Sequence, residues 1–485
     1  MNTNQRNIGI FDWCGDVGIQ RHPGSSTYDA QDQAYTLRGS GANTWGLEDE
    51  FHYCATRFNA NSVWTVEGEF VGESVEPHRK WGLMFRLSHD SNACYASAVV
   101  HGDGLISLQF RMAQGEKTQE IRANFKYAYV VQLERVNSTV FMRAARKGQS
   151  LELVGHIELP MCEEVFAGLF VCSHHPQAID SVIFQNLRVD VMPAEGIDAY
   201  QIPAASRLET FELATGKRRV LYSSRSHFEA PNWSPDGQYL LFNQEGLIYR
   251  FPLPNGPPQV VDTGDIRENN NDHGLSFDGQ WLAISSTTHQ PNRKKGSQIY
   301  VLPSSGGKPR KITDEAPSFW HGWSPDGQSL VYCAERNGSY DVWSVGIEGG
   351  PETRLTTTQG LDDGPEYSPD GQWIFFNSTR TGYMKIWKMK PDGSQQQQVS
   401  HGEGQDWFAH PSPDGLTIVY LTYGNHVRAN VHPRNERVII KRQHLITGEV
   451  DVLAYVYGGQ GTLNVPSWSP DSRFFAFVSY TYGNH

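Results

Sequence analysis

Residues 205–485 alternate between short apolar runs and polar turns in a fixed order. The runs 239–242, 281–284, 330–332, 373–376, 418–421 and 474–477 are rich in aromatic and branched side chains. They read as strands buried on both faces. Each follows nearly the same words: Trp233-Ser-Pro-Asp-Gly-Gln238, Leu275-Ser-Phe-Asp-Gly-Gln280, Trp323-Ser-Pro-Asp-Gly-Gln328, Tyr367-Ser-Pro-Asp-Gly-Gln372, Pro411-Ser-Pro-Asp-Gly-Leu416 and Trp468-Ser-Pro-Asp-Ser-Arg473. Pro presets φ, Asp caps the local backbone and Gly accepts positive φ, so these are tight turns between strands. On this reading the motif is turn chemistry without a function of its own. A third strand follows (299–302, 341–345, 385–389), then a Gly-rich turn and a fourth strand, as in 349–355. The repeated serines are 42, 48, 44, 44 and 57 residues apart. Four antiparallel strands at that period make one blade of a β-propeller.

The sixth repeat stops after two strands. The stretch 207–222, ahead of the first repeat, reads as a third and fourth strand without a first and second. The two fragments predict a six-bladed ring in which both ends of the domain share one blade, which removes open sheet edges. Residues 1–198 show no such repeat. Segments such as 64–70, 81–86, 96–100 and 127–133 alternate in β fashion between polar turns, with no amphipathic helix. They predict a β-sandwich. The expected architecture is therefore all-β: a sandwich over 1–198, a linker around Pro193 to Pro203, and a six-bladed propeller over 199–485.

Composition narrows the function classes. A net charge of -12 argues against a nucleic-acid binder held by phosphate contacts. No apolar run reaches the ~20 residues of a membrane span. The start lacks the basic-then-apolar order of a secretory signal, so the expected location is cytoplasmic as written, or periplasmic or secreted if a signal was removed. Six cysteines (Cys14, Cys54, Cys94, Cys162, Cys172, Cys333) without CxxC spacing predict scattered reduced thiols rather than a disulfide framework.

The repeated Trp-Ser-Pro-Asp-Gly-Gln with its following strand resembles the TolB-type propeller repeat, over about 280 residues. It is also similar to the propellers of oligogalacturonate lyases and prolyl oligopeptidases. Nothing in the chain resembles an α/β-hydrolase, so the peptidase reading lacks its catalytic domain. The strand Lys80-Trp-Gly-Leu-Met-Phe-Arg86 and the segment Asn43-Thr-Trp45 resemble laminin-G-like or concanavalin-like jelly rolls. That likeness implies carbohydrate binding, with Trp45, His78, Arg79, His101 and Asp103 as possible contacts, or else a structural module.

Aligning the repeats on their serines locates a candidate site, because residues just before the start of the innermost strand, with the loops joining the second and third strands, gather on one face of the channel. Small or apolar residues are the ordinary expectation there. Instead, the minus-three position carries His273 and His321 where other repeats have proline or alanine. Minus two carries Glu366 and His410, and minus five carries Glu229, Asn271, Asp363, Trp407 and Asn464. Asp272 and Trp320 stand at minus four, Asp362 and Asp406 at minus six. Loops after the second strand add Arg336 and Arg380, and a long insertion, 423–436, adds His426, Arg428, His432 and Arg434.

Three readings compete for this mouth. In the first, an enzyme acts on uronate-containing oligosaccharides as a lyase or glycosidase. His273, His321, Asp363 and His410 would serve as acids and bases. Arg336 and Arg380 would hold a carboxylate, Trp320 and Trp407 would stack on sugars, and Asn271, Asp272, Asp362 and Asn464 would complete the binding surface. The oligogalacturonate lyase resemblance, a family with a histidine-rich metal site, supports it. In the second, His273, His321 and His410, with Glu366, hold one divalent ion such as Mn, Ca or Zn. No organic cofactor is expected. In the third, the propeller is a non-catalytic binding or scaffold protein recognising a saccharide or a protein partner.

Overall fold

The computed structural model describes residues 8–72, 74–159, 164–193, 204–288 and 296–483. Among them every regular element is a β-strand, and no helix is long and apolar enough to cross a membrane. Most of the expected linker, 194–203, lies outside the described residues, as does Cys162. The chain divides into two compact units, Met1–Ile197 with Thr481–His485, and Asp198–Tyr480.

The first unit holds two seven-stranded antiparallel sheets. Lys80–Arg86, Tyr95–His101 and Ile106–Arg111 are buried along their whole length in one of them. Side chains from both sheets, among them Trp64, Leu133 and Phe184 from one and Trp81, Phe85 and Leu169 from the other, share one core cluster. On the far side of the first sheet the carboxylate of Asp49 lies 2.7 Å from both Arg86 and Arg111, all three fully buried. The thiol expectation is corrected here. Trp13–Val17 pairs with Phe51–Phe58 in a register that sets Cys14 opposite Cys54, and the two form a disulfide. Sequence spacing gave no hint of it because strand register, not separation, brings the sulfurs together. Cys94, Cys172 and Cys333 are buried thiols outside this disulfide.

The second unit is a six-bladed propeller. Five four-stranded sheets begin with the innermost strands Glu229–Trp233, Asn269–Leu275, Ser318–Trp323, Asp362–Tyr367 and Gln405–Pro411. In the sixth, the late strand Phe474–Thr481 lies beside the early strand Ala205–Glu212, which pairs with Arg218–Ser224. A bridge from Trp468 to Phe475 marks this blade's innermost edge. An early and a late segment of this unit thus share one sheet. Glu209, fully buried, ties it together by accepting from Ser479 Oγ at 2.6 Å and from Arg218 at 3.0 and 3.2 Å.

The repeated turn is built by its own side chains. In every repeat the serine hydroxyl donates to the aspartate, at 2.5–2.7 Å. The same aspartate oxygen accepts the N–H two residues on, at 3.0–3.1 Å. The serine oxygen in turn accepts the N–H that opens the second strand, at 2.9–3.1 Å. The fourth position needs positive φ. It is glycine at 68–74° in five repeats and Ser472 at 60° in the sixth. Tryptophans just before the serine stitch neighbouring blades. Trp323 Nε1 donates to Gly274 O at 3.0 Å and Trp468 Nε1 to His410 O at 2.8 Å.

These bonds hold Asp236, Asp278, Asp326, Asp370 and Asp471 below the usual carboxylate range, chiefly through the serine hydroxyl. A lowered folded-state pKa adds stability above the unfolded value of about 3.9 and loses it as pH falls further. Replacing Asp326 by Ala is expected to cost about 1–2 kcal/mol. The stability gap from the parent should shrink below about pH 4, as urea unfolding at several pH values will show.

Candidate functional site

Each of the five complete blades carries a register shift in its innermost strand, between Glu229 and Asn232, Asn269 and His273, Trp320 and Gly322, Asp363 and Glu366, and Trp407 and His410. A bulge turns the following side chains and strengthens local twist. Positive φ at Ala230, Gly364 and Phe408, all at minus four, belongs to three of them. These bulges decide which of the residues before each serine meet.

At one end of the innermost strands, His321 Nε2 lies 3.1 Å from Asp363 Oδ1, across neighbouring blades. Burial alone would discharge both. For His321 the hydrogen bond to Asp363 and the charges of Asp272 and Asp363 outweigh burial and raise its pKa. Burial also pushes Asp363 up, but the bond from His321 holds it down at about 2. Asp272 has no such partner bond, and burial lifts its pKa to about 7, opposed by His321 and helped by Asp363 and Glu229. Glu229 itself lies 3.3 Å from His227 Nε2 and accepts from Asn243. From the insertion comes His432, against the rings of Trp407 and Phe408 at 4.5 and 5.3 Å. Burial lowers its pKa. Paired and unpaired carboxylates beside imidazole are the groups that move protons near neutral pH.

A second pair joins blades four and five. His410 Nδ1 lies 2.6 Å from Glu366 Oε2 and Nε2 lies 3.1 Å from Leu463 O. Both ring nitrogens therefore face oxygen atoms.

Other expected residues have structural places. His273 is fully buried, and burial lowers its pKa to about 3, opposed by a hydrogen bond with the Asn271 backbone. Asn271 is buried with Nδ2 unpaired, and Asn464 Oδ1 accepts from Gly461 N at 2.6 Å. Trp320 and Trp407 are 0 % exposed inside core clusters. Trp320 lies so close over Gly274 that a Cβ there would come within 2.3 Å of its ring. The expected sugar-stacking role is corrected: neither ring presents a face to solvent. The arginines are corrected likewise. Arg336 spends its fork on Glu352 at 3.0 and 3.1 Å and on Ser318 and Pro317 O. Arg380 binds both oxygens of Asp362 at 3.2 Å and lies over Trp387. Buried ion pairs with matched partners leave no donors for a substrate carboxylate. Among the described residues no group of three or more His, Cys, Asp or Glu side chains stands ready to hold a metal ion. In the first unit Trp45 is exposed, Arg79 pairs with Asp180 at 3.2 Å, and His101 is buried against Gln109.

Sequence reasoning missed the other end of the innermost strands. There a cavity of about 300 Å³ is lined by all six residues that precede the repeated serine: Trp233, Leu275, Trp323, Tyr367, Pro411 and Trp468. Five of the six residues that follow the serine line it too, including Phe277, which stands where the other repeats have proline and is 44 % exposed. Glu366 is the one charged side chain in the lining. The signal was visible as an aromatic or apolar side chain at minus one in every repeat.

The fold and the repeated inter-blade stitches define a six-bladed propeller with a polar mouth and an apolar one. The TolB beta propeller domain family matches residues 313–484. An uncharacterized protein of Agrobacterium fabrum is 49% identical over 276 residues, 57% of this chain and 92% of that protein. A solved structure from Agrobacterium tumefaciens, described as a candidate TolB, has 48% identity and a TM-score of 0.54, covering 57% of this chain and 98% of that one. The Tol-Pal system protein TolB of Bordetella pertussis is 26% identical over 159 residues, 30% of this chain and 34% of that protein. The chain belongs to the TolB-like β-propeller family.

The raised Asp272 makes a pH test of the polar mouth. Its folded state keeps a proton between about pH 4 and 7 that the unfolded chain has lost, so it makes stability fall as pH rises through that window. Asp272→Asn should flatten that fall and leave the variant more stable than the parent at pH 8, measured by chemical unfolding across pH 4–8.

Proposed function

We propose that this chain is a saccharide-binding propeller whose ligand site is the aromatic cavity at the Ser-Pro-Asp-Gly end of the channel. The observation that carries this reading is the convergence of all six residues at minus one on a single cavity. Flat indole, phenol and proline surfaces match the apolar faces of a sugar ring, and a cavity of about 300 Å³ suits one or two rings. The lining contains no Lys or Arg. It therefore complements a neutral sugar better than a uronate, a preference that the occupied forks of Arg336 and Arg380 also support. We read the first unit, with two sheets sharing one core, as a jelly-roll partner module. The Cys14–Cys54 disulfide favours an oxidising compartment, periplasmic or extracellular.

A second reading keeps catalysis at the polar mouth. His321 with Asp363 as its charge partner, and Asp272 poised near neutrality, are the acid and base it would use.

Titration of the whole protein with neutral and uronate oligosaccharides, followed by calorimetry and tryptophan fluorescence, separates the two. The binding reading expects saturable fluorescence change with a neutral oligosaccharide, weakened about tenfold by Phe277→Ala, and no product. An unsaturated or newly reducing product that disappears in Asp272→Asn would establish the enzyme instead. Absence of any saccharide affinity would overturn the binding reading.

A further inference from the structure

Far in sequence from every propeller residue, three polar side chains of the first unit form an unbroken hydrogen-bonded chain. Ser26 Oγ lies 2.7 Å from His52 Nε2. His52 Nδ1 lies 2.7 Å from Asp16 Oδ1. Both oxygens of Asp16 are in turn fixed by the N–H of Gly24, at 3.1 and 3.0 Å. Asp16 and His52 stand directly opposite each other in the paired strands Trp13–Val17 and Phe51–Phe58. Ser26 reaches them from Ser25–Asp29, the end strand of the other sheet.

The ring's orientation follows from its partners. Nδ1 faces a carboxylate, so it carries the proton. Nε2 then offers its lone pair to the serine hydroxyl. That is the order of roles that activates a serine: nucleophile, base, and an acid group that holds the base. The surroundings are shaped to the ring. A Cβ on Gly24 would lie 2.1 Å from His52 Nδ1 and 2.7 Å from Asp16 Oδ1, and one on Gly39 would lie 2.6 Å from His52 Cβ. Cys54 Sγ lies 2.9 Å from Ser26 Oγ, but its sulfur is bonded to Cys14 and has no proton to give, so the serine proton stays with His52.

Access follows from the burial of the three residues and the strand's position. His52 is buried, the Asp16 side chain is 24% exposed, and Ser26 is half-buried. Ser25–Asp29 has a sheet partner on one side only. The Gly24 N–H, just ahead of this strand, is taken by Asp16.

We propose that Ser26, His52 and Asp16 are an acyl-transfer site acting on small carboxylic esters. Ser26 Oγ attacks the ester carbonyl carbon while its proton passes to His52 Nε2. The carbonyl-to-alkoxy bond breaks, the leaving oxygen takes that proton, and an alcohol departs from an acyl-serine. Water then attacks the acyl carbon and gives a proton to His52. Ser26 Oγ recovers the proton as the carboxylic acid leaves. No oxidant or reductant enters.

A purely structural role, pinning two sheet edges together, needs none of this reactivity. The whole protein should be treated with a fluorophosphonate probe, digested and mapped by mass spectrometry, with p-nitrophenyl acetate hydrolysis measured in parallel. The proposal expects one adduct, on the peptide bearing Ser26, and ester hydrolysis that Ser26→Ala abolishes. Asp16→Asn should keep the fold and lower both labelling and hydrolysis by about a hundredfold or more, since it reverses the hydrogen bond that sets the ring. Folding of each variant is checked by near-ultraviolet circular dichroism. An unlabelled Ser26 in folded protein overturns the proposal. So does labelling that persists undiminished in His52→Gln or Asp16→Asn. Because the readout is covalent and lies in the first unit, its failure leaves the saccharide reading untouched, and the reverse also holds.

Discussion

The propeller depends on one act of closure. Five blades each complete their own four strands, but the sixth exists only when Phe474–Thr481 finds Ala205–Glu212. Around that join, Phe211 stacks on Phe475 at 5.3 Å and Glu209 holds Arg218 and Ser479. A buried carboxylate without those donors would be expensive, so the join is all or nothing. Everything at the channel inherits its geometry from the closed ring. Asn232 shows this at short range: it donates to Pro466 O at 2.6 Å and accepts from Leu275 N at 3.0 Å, linking the closing blade through the first to the second.

With the ring closed, the six innermost strands impose an asymmetry on the channel. Their bulged halves bring histidines and carboxylates together, where pairing across blades sets charge: His321 with Asp363, His410 with Glu366. Their ends, fixed by side-chain-built turns, bring rings and prolines together instead. The turn motif thus does two things at once. Its serine and aspartate fold the chain back, and the residues flanking the serine face the axis and line a cavity. Reading the motif as turn chemistry alone was half of its meaning.

The architecture was legible because a propeller is periodic, and periodicity survives in sequence. Six copies of one turn specified the blade number. The polar mouth was partly legible. Alignment picked out His321 and Asp363, but they stand 42 residues apart, and only the bulges decide that they meet while His273 is sealed in. Alignment also overstated solvent access. Trp320 and Trp407 share the register of channel residues, yet the bulged backbone turns them between blades, where Gly274 makes room for Trp320. Arg336 and Arg380 stood in plausible loops, but their partners Glu352 and Asp362 sit across a strand pair, which a linear pattern does not display. In the first unit neither the disulfide nor the Ser26, His52 and Asp16 chain repeats, so nothing periodic announced them.

The closing blade also sets the order in which this protein is assembled. Ser479 and Glu209, bonded in the finished ring, are 270 residues apart. During synthesis the early strands 205–224 leave the ribosome first and have to wait, with an unpaired edge, until five further blades have followed. Contacts of such long sequence separation slow folding and lengthen the exposure of that edge. The ring is therefore a structure whose first-made piece is the last to find its neighbour, and the nascent chain's most vulnerable surface is the one that finally locks it.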